Sequence, residues 1–221
     1  YHCPPRFPND IVEKIQIQAE QLFKLFGLHD FARFDGWETS GGNLWFSDFN
    51  TISGMEQNSF LFQQGSQIGM SHSDLLRFVV GNACRRNNIE LRNQSSELSK
   101  IKDKRKEVNV IFGGPTAERQ VSLMTGTNAW MKLRKSEKYD PKPHLLDKDG
   151  FVWSLPYRFT LNHTVEEILD ACKIAKEYED RLKTLKQRVI EKLAVSAEQL
   201  TLDNSLPERM TLDEFIKKSK I

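Results

Sequence analysis

The sequence is poor in several things that would settle a class at once. It has 3 cysteines in 221 residues. Cys3, Cys84 and Cys172 lie far apart with no CxxC pair, which removes a zinc or dithiol motif and a disulfide framework and reads as reduced thiols. No run approaches the ~20 apolar residues that cross a bilayer. Neither charge sign dominates: 32 Lys and Arg against 30 Asp and Glu leave +2, which argues against a dedicated nucleic-acid binder. No secretory or transit pattern opens the chain. What is present is enough for a folded core: 38% hydrophobic residues, with 14 Phe and 4 Trp.

The small net charge conceals a division. Residues 1–84 carry 5 basic and 9 acidic side chains, residues 85–106 carry 8 and 3, and the remainder 19 and 18. A basic polar stretch therefore separates two globular-looking halves. It contains no aromatic residue to stack on a base, so it reads as a solvated linker at 87–106 rather than a nucleic-acid or membrane-surface patch.

In the first half, Ile11, Ile15, Ala19, Leu22 and Phe26 follow helical spacing over 10–26, with Asp10 as expected N-cap and Gly27 as stop. Two aromatic runs, 31–38 and 43–50, flank Ser40-Gly41-Gly42 and predict a β-hairpin. Residues 51–71 read as loop and 72–86 as a helix. In the second half, Val108–Phe112 predicts a buried strand, Gly113-Gly114 a turn and Thr116 the cap of a helix bearing Val121, Leu123, Met124 and Trp130. Short strands are expected at 142–146 and 151–154. Thr164 and Glu167 stand in capping-box positions before a mainly helical 165–195. Leu212–Lys218 predicts a last amphipathic helix. The five histidines are scattered and read as surface or loop residues.

Two constellations could carry chemistry. On the hairpin, alternation puts Asp48 with Asn50 on one face and Arg33 with Asp35 on another strand's face, and the turn brings Asp35 opposite residues 47–48. Two carboxylates and an amide oxygen are hard ligands suited to Mg²⁺ shared with phosphate. An ordinary solvated polar face accounts for the same pattern. The second is the turn Phe112–Glu118, where a strand feeding a helix through glycines aims backbone N–H groups at a ligand. It is neither a Walker loop nor GxGxxG.

Arg33-Phe34-Asp35 followed by Asp48-Phe-Asn50-Thr51-Ile-Ser-Gly54, with Ser59 beyond, resembles the C-terminal end of D-alanine–D-alanine ligases of the ATP-grasp superfamily. Gly113-Gly-Pro-Thr-Ala-Glu118-Arg-Gln-Val-Ser122 resembles the N-terminal start of the same family. The inverted order resembles plant-type tandem proteins in which one ligase unit ends and another begins. The resemblance implies an α/β (α+β) fold: residues 1–86 as the C-terminal part of an ATP-grasp domain, 87–106 as linker, and 107–221 as a partial Rossmann-like N-terminal domain of a second unit.

It also implies an activity, in which ATP activates one D-alanine as an acyl phosphate and a second D-alanine amine displaces phosphate. Asp35, Asp48 and Asn50 would bind Mg²⁺ or Mn²⁺. Arg33 and the Gly54 N–H would stabilise the oxyanion, and Ser59 would hold the second substrate's carboxylate. Glu118 would meet the first substrate's ammonium, with Ser122 supporting it. ATP and D-alanine are the implied partners of the complete protein, in a cytoplasmic or plastid setting, with a homodimer as the oligomeric option and neither nucleic acid nor membrane involved. The segment carrying the ATP lid has no counterpart here, so the chain reads as a piece of a longer protein. Asp48 for the family's Glu, Ser53 for Pro and Glu56 for Thr imply weakened catalysis in the first unit. The alternatives are a non-catalytic ligase-like module with an assembly or regulatory role, and an ATP-grasp ligase for another amino or hydroxy acid.

Overall fold

A computed structural model of the chain describes residues 2–52, 54–90, 105–195, 200–203 and 205–219. The linker reading falls largely on 91–104, outside the described residues, as does Ser53.

The chain opens with helix α1 (Asn9–Leu25), then a two-stranded antiparallel sheet of β1 (Arg33–Glu38) and β2 (Leu44–Asn50). Asp10 is not the N-cap of α1. Pro8 occupies that position without a side-chain cap, and proline favours helix starts because it has no N–H to satisfy. Gly27, at φ +59°, ends the helix as expected. Residues expected to be loop contain helix α2 (Phe60–Gln67), which leads into α3 (His72–Arg86). The sequence Phe60-Leu-Phe-Gln-Gln-Gly-Ser-Gln looks loop-like because of its polar and small residues. Tertiary packing needs them: Gln63, Gly65 and Ser66 are all buried, and a Cβ on Gly65 would lie 2.6 Å from Leu75 of α3. Helix α3 starts with a full capping box, Ser71 and Asp74 exchanging side-chain and backbone bonds.

The second sheet has the order β3-β4-β5-β6, built from β3 (Lys106–Gly113), β4 (Tyr139–Leu146), β5 (Phe151–Ser154) and β6 (Glu208–Thr211). Helix α4 (Arg119–Leu133) links the parallel pair β3/β4, and the other pairings are antiparallel. Among the described residues the sheet thus holds one parallel βαβ unit. Pro141 and Pro143 sit inside β4, where a missing N–H would ordinarily break a ladder. Both point their backbones away from β3: the carbonyl of Pro141 accepts from Trp130 Nε1 and that of Pro143 from the Leu155 N–H. Neither proline is therefore asked to donate to β3. Between β4 and β5, buried Asp147 accepts from the Asp149 and Phe151 N–H groups and from Trp153 Nε1, fixing the turn that Gly150 completes at φ +85°.

A 3₁₀ turn (Tyr157–Leu161), α5 (Val165–Ile174), a second 3₁₀ turn (Ala175–Tyr178), α6 (Glu179–Leu193) and α7 (Leu212–Ser219) complete the chain. Thr164 caps α5 by accepting from the Glu167 N–H, while Glu167 returns its bond to the His163 N–H. One face of the sheet packs Phe112, Leu145 and Trp153 against Leu123 of α4 and Val165 and Ile168 of α5. The other packs Val152 and Met210 against Phe215 of α7.

The two halves share packing. Phe62 and Leu75 of the first join Trp130, Tyr157 and Leu161 of the second in one buried cluster. The His72 Nε2–H donates to the Gln57 carbonyl at 2.6 Å, which leaves Nδ1 to accept from the Tyr157 hydroxyl. The Arg134 guanidinium lies 4.3 Å over the Tyr157 ring. The His163 ring nitrogens lie 2.8 Å from Asn58 Nδ2 and 3.0 Å from Gln63 Nε2. His72 and His144 are accordingly junction or core residues, not the surface or loop residues expected, while His163 is exposed in the loop before α5 as expected.

Candidate functional site

The hairpin pairs Arg33 with Asn50, Phe34 with Phe49 and Asp35 with Asp48, then shifts register so that Gly36 faces Phe46 and Trp37 faces Trp45. Continuing the Trp37–Trp45 pairing toward the open end without the shift would set Asp35 opposite Ser47. The bulge adds one residue on β2 and brings the two carboxylates onto the same rung. Gly36 makes this possible. A Cβ there would lie 2.2 Å from the Trp45 carbonyl oxygen.

The bulge also sorts the faces. Phe34 packs on Phe46 and Phe49 at centroid distances of 6.3 and 5.1 Å, and Phe49 meets Phe26 beyond α1 at 5.1 Å. That aromatic face leans on α1, whose Lys14 ammonium donates to the Gly42 carbonyl at the hairpin turn. The opposite face carries Arg33, Asp35, Asp48 and Asn50, with Trp37 and Trp45 toward the turn, 58% and 60% exposed. The open end is tied down by Arg86 of α3, which grips both oxygens of Asp30 at 3.0 and 2.9 Å. The guanidinium holds the Asp30 carboxyl below its ordinary range.

Within the polar face, Arg33 Nε lies 3.1 Å from Asp35 Oδ1. The alignment is not that of a hydrogen bond, so the contact is ionic and that nitrogen keeps an unused donor. Asn50 Nδ2 donates to Asp48 Oδ2 at 2.9 Å, which turns its amide oxygen away from that carboxylate. Asp35, Asp48, Asn50 and Arg33 are thus brought together as the sequence pattern requires. Two acidic groups remain short of a self-sufficient cage, and no group of three or more His, Cys, Asp or Glu is gathered among the described residues.

The remaining residues stand differently. Gly54 follows the hairpin in a loop, and the Glu56 carboxylate folds against it, its Oε2 2.2 Å from where a Gly54 Cβ would stand. Ser59 precedes α2 without capping it, and its hydroxyl is buried without a hydrogen-bond partner. A buried hydroxyl normally has a partner, so Ser59 is open to a ligand oxygen.

In the second half, the expectation that the glycine turn aims N–H groups at a ligand is not met for its two glycines. The Gly113 N–H donates to Ser122 Oγ at 3.1 Å and the Gly114 N–H to the Leu146 carbonyl at 2.7 Å. Thr116 does not cap α4. Glu118 holds that position without a side-chain cap, exposed to solvent. Ser122 fastens the helix to the end of β3, and Arg119 with Gln120 binds Glu166 at the start of α5. Sequence reasoning missed Gly36, whose role needs the cross-strand register, and Arg158, which no periodicity predicts to be buried.

The hairpin thus presents a carboxylate pair, an amide and an arginine on one exposed face. Residues 1–81 match the family model described as the D-ala D-ala ligase C-terminus. The chain is 31% identical over 77 residues to vancomycin C-type resistance protein VanC2 of Enterococcus casseliflavus, covering 35% of this chain and 22% of that protein. It is 30% identical over 78 residues to a D-alanine–D-alanine ligase of Oleidesulfovibrio alaskensis, 35% of this chain and 25% of the relative. With a D-alanine–D-alanine ligase of Fervidobacterium nodosum it shares 29% over 83 residues, 38% and 26% of the two chains. The chain thus spans between 22% and 26% of the length of these curated relatives. No solved structure gives a significant match. No helix among the described residues is long and apolar enough to cross a membrane.

Proposed function

We propose that residues 1–86 are the C-terminal part of an ATP-grasp ligase unit and that 107–221 begin a second, Rossmann-like unit after a linker at 87–106. The parent protein would join two D-alanines through an acyl phosphate made with ATP. The observation that carries the reading is the bulge that sets Asp35 opposite Asp48, beside Asn50 and Arg33, inside the stretch that matches the ligase family.

The donor set suits Mg²⁺ or Mn²⁺, since carboxylate and amide oxygens are hard ligands and phosphate oxygens would supply the rest. Such an ion would offset charge on the phosphate groups. Asp35, Asp48 and Asn50 would hold it. Arg33, with its spare Nε donor, and the Gly54 N–H would face the oxyanion, where preorganised donors act most strongly. The unpartnered Ser59 hydroxyl would take the carboxylate of the second D-alanine. In the following unit Glu118 would meet an ammonium, with Ser122 holding its helix against β3.

One observation favours a second reading, a ligase-like module that no longer catalyses and serves assembly or regulation. The Glu56 carboxylate lies on Gly54, where the phosphate would approach, and like charges repel there. The test is D-alanine-dependent phosphate release from ATP by the protein that carries this chain. Under the first reading Asp35→Asn and Asp48→Asn remove the first unit's share of the turnover and Glu56→Thr raises it. Turnover unchanged by both Asp variants would remove the hairpin from the chemistry. The 221-residue chain alone is expected to release no phosphate, and sustained turnover by it would overturn the division into two partial units.

A further inference from the structure

Arg158 lies in the first 3₁₀ turn and is 5% exposed. Among the described residues no carboxylate comes within ion-pair distance of it, and its buried Nε makes no hydrogen bond. Its near neighbour is the Phe159 ring, 4.8 Å from the guanidinium carbon. A guanidinium stays charged even when burial weakens its hold on the proton, as it does here. A buried cation without a counter-ion is strongly unfavourable.

Among the described residues nothing nearby neutralises it. Burial pushes the Cys3 thiol up to about 11 and that of Cys172 up to about 12, so both are uncharged at neutral pH. Glu179 and Asp203 act on Arg158 only at a distance. Of the two carboxylates that line the cavity beside it, Glu167 accepts from the His163 N–H at 2.9 Å, and Asp170 lies 3.7 Å from Lys173.

Arg158 lines a cavity of about 60 Å³. That is space for roughly four to six water-sized centres. The N-terminal segment closes one side with His2, Cys3 and Arg6, pinned by the bond from Arg181 Nη1 to the Pro5 carbonyl at 3.2 Å. Phe159, Ile174 and Leu182 add apolar side chains to the lining.

We propose that this cavity binds a small monocarboxylate, with Arg158 as its counter-ion. The guanidinium fork matches a carboxylate's two oxygens. The apolar side chains of the lining suit a short aliphatic tail, while a phosphate dianion would lose more hydration here than one arginine restores. The site is independent of the ligase reading, and either can fail without the other.

The test follows thermal unfolding of the 221-residue chain in acetate, propionate or inorganic phosphate, with ionic strength balanced by chloride. Propionate is expected to raise Tm to a saturating limit, beyond any effect of phosphate or chloride. Arg158→Met should abolish that response while unfolding no lower than the parent chain in chloride alone. If Arg158→Met does not fold, Arg158→Lys keeps the charge without the fork and should weaken propionate binding at least tenfold by calorimetry. A Tm unmoved by carboxylates, an equal shift in the variants, or a preference for phosphate would each overturn the proposal.

Discussion

Gly36 has no room for a side chain, because the Trp45 carbonyl oxygen occupies the space a Cβ would need. Gly36→Ala is therefore expected to cost about 1–3 kcal/mol, as overpacking does. It should also undo the bulge, so that cross-strand contacts between Asp35 and Asp48 vanish from the NMR spectrum. Retained contacts would separate the bulge from the glycine.

His144 gives a pH dependence. It is 6% exposed, donates from Nε2 to Asn109 at 2.9 Å and packs on Phe215. Burial, helped by Lys218 and Lys142, pushes it from its ordinary 6.5 down to about 4. Above pH 6.5 the ring is neutral in both folded and unfolded chains. As pH falls from 6.5 to about 4, the unfolded chain takes up a proton that the folded one refuses, so stability drops by up to about 3 kcal/mol. His144→Gln should flatten this slope in denaturant titrations across that range. An unchanged slope would assign it to other groups.

At the scale of elements, α2 shows why a helix escaped the sequence. Its Gly65 and Ser66 read as loop residues because local propensity opposes a helix there. The helix persists because Gly65 admits Leu75 and because Phe62 enters the cluster around Trp130 and Tyr157. Leu75→Ala should cost about 2–5 kcal/mol and loosen α2 as well as α3. Chemical denaturation reads the first effect, and amide exchange in 60–67 the second. Strand β6 escaped for a different reason: Glu208-Arg-Met-Thr offers one buried apolar side chain, Met210, too few for a period of two to appear. The hairpin, α3, β4 and β5 were legible because turn residues and apolar spacing agreed with their tertiary surroundings.

For the whole molecule, burial is unevenly divided. Helix α1 has no buried residue, and neither strand of the hairpin has one. The second sheet has a core on both faces, and α2 and α3 belong to it by packing although they precede the basic stretch. Hydrogen exchange is therefore expected to be fastest in β1 and β2, and slowest and concerted in β3, β4, β5 and α3. Protection of the hairpin equal to that of β4 would contradict this division.

The sequence by itself determined the elements with strong local signals, and it named the carboxylates, the arginine and the serines as candidates. The carboxylates and the arginine follow from side-chain type and spacing along the chain, and the serines from the family resemblance. Only the tertiary structure decided that a bulge sets Asp35 against Asp48, that the N–H groups of Gly113 and Gly114 are consumed internally, and that Arg158 is buried with no counter-ion among the described residues. Each of these depends on which distant backbone or side chain comes within bonding distance, and no local pattern encodes that.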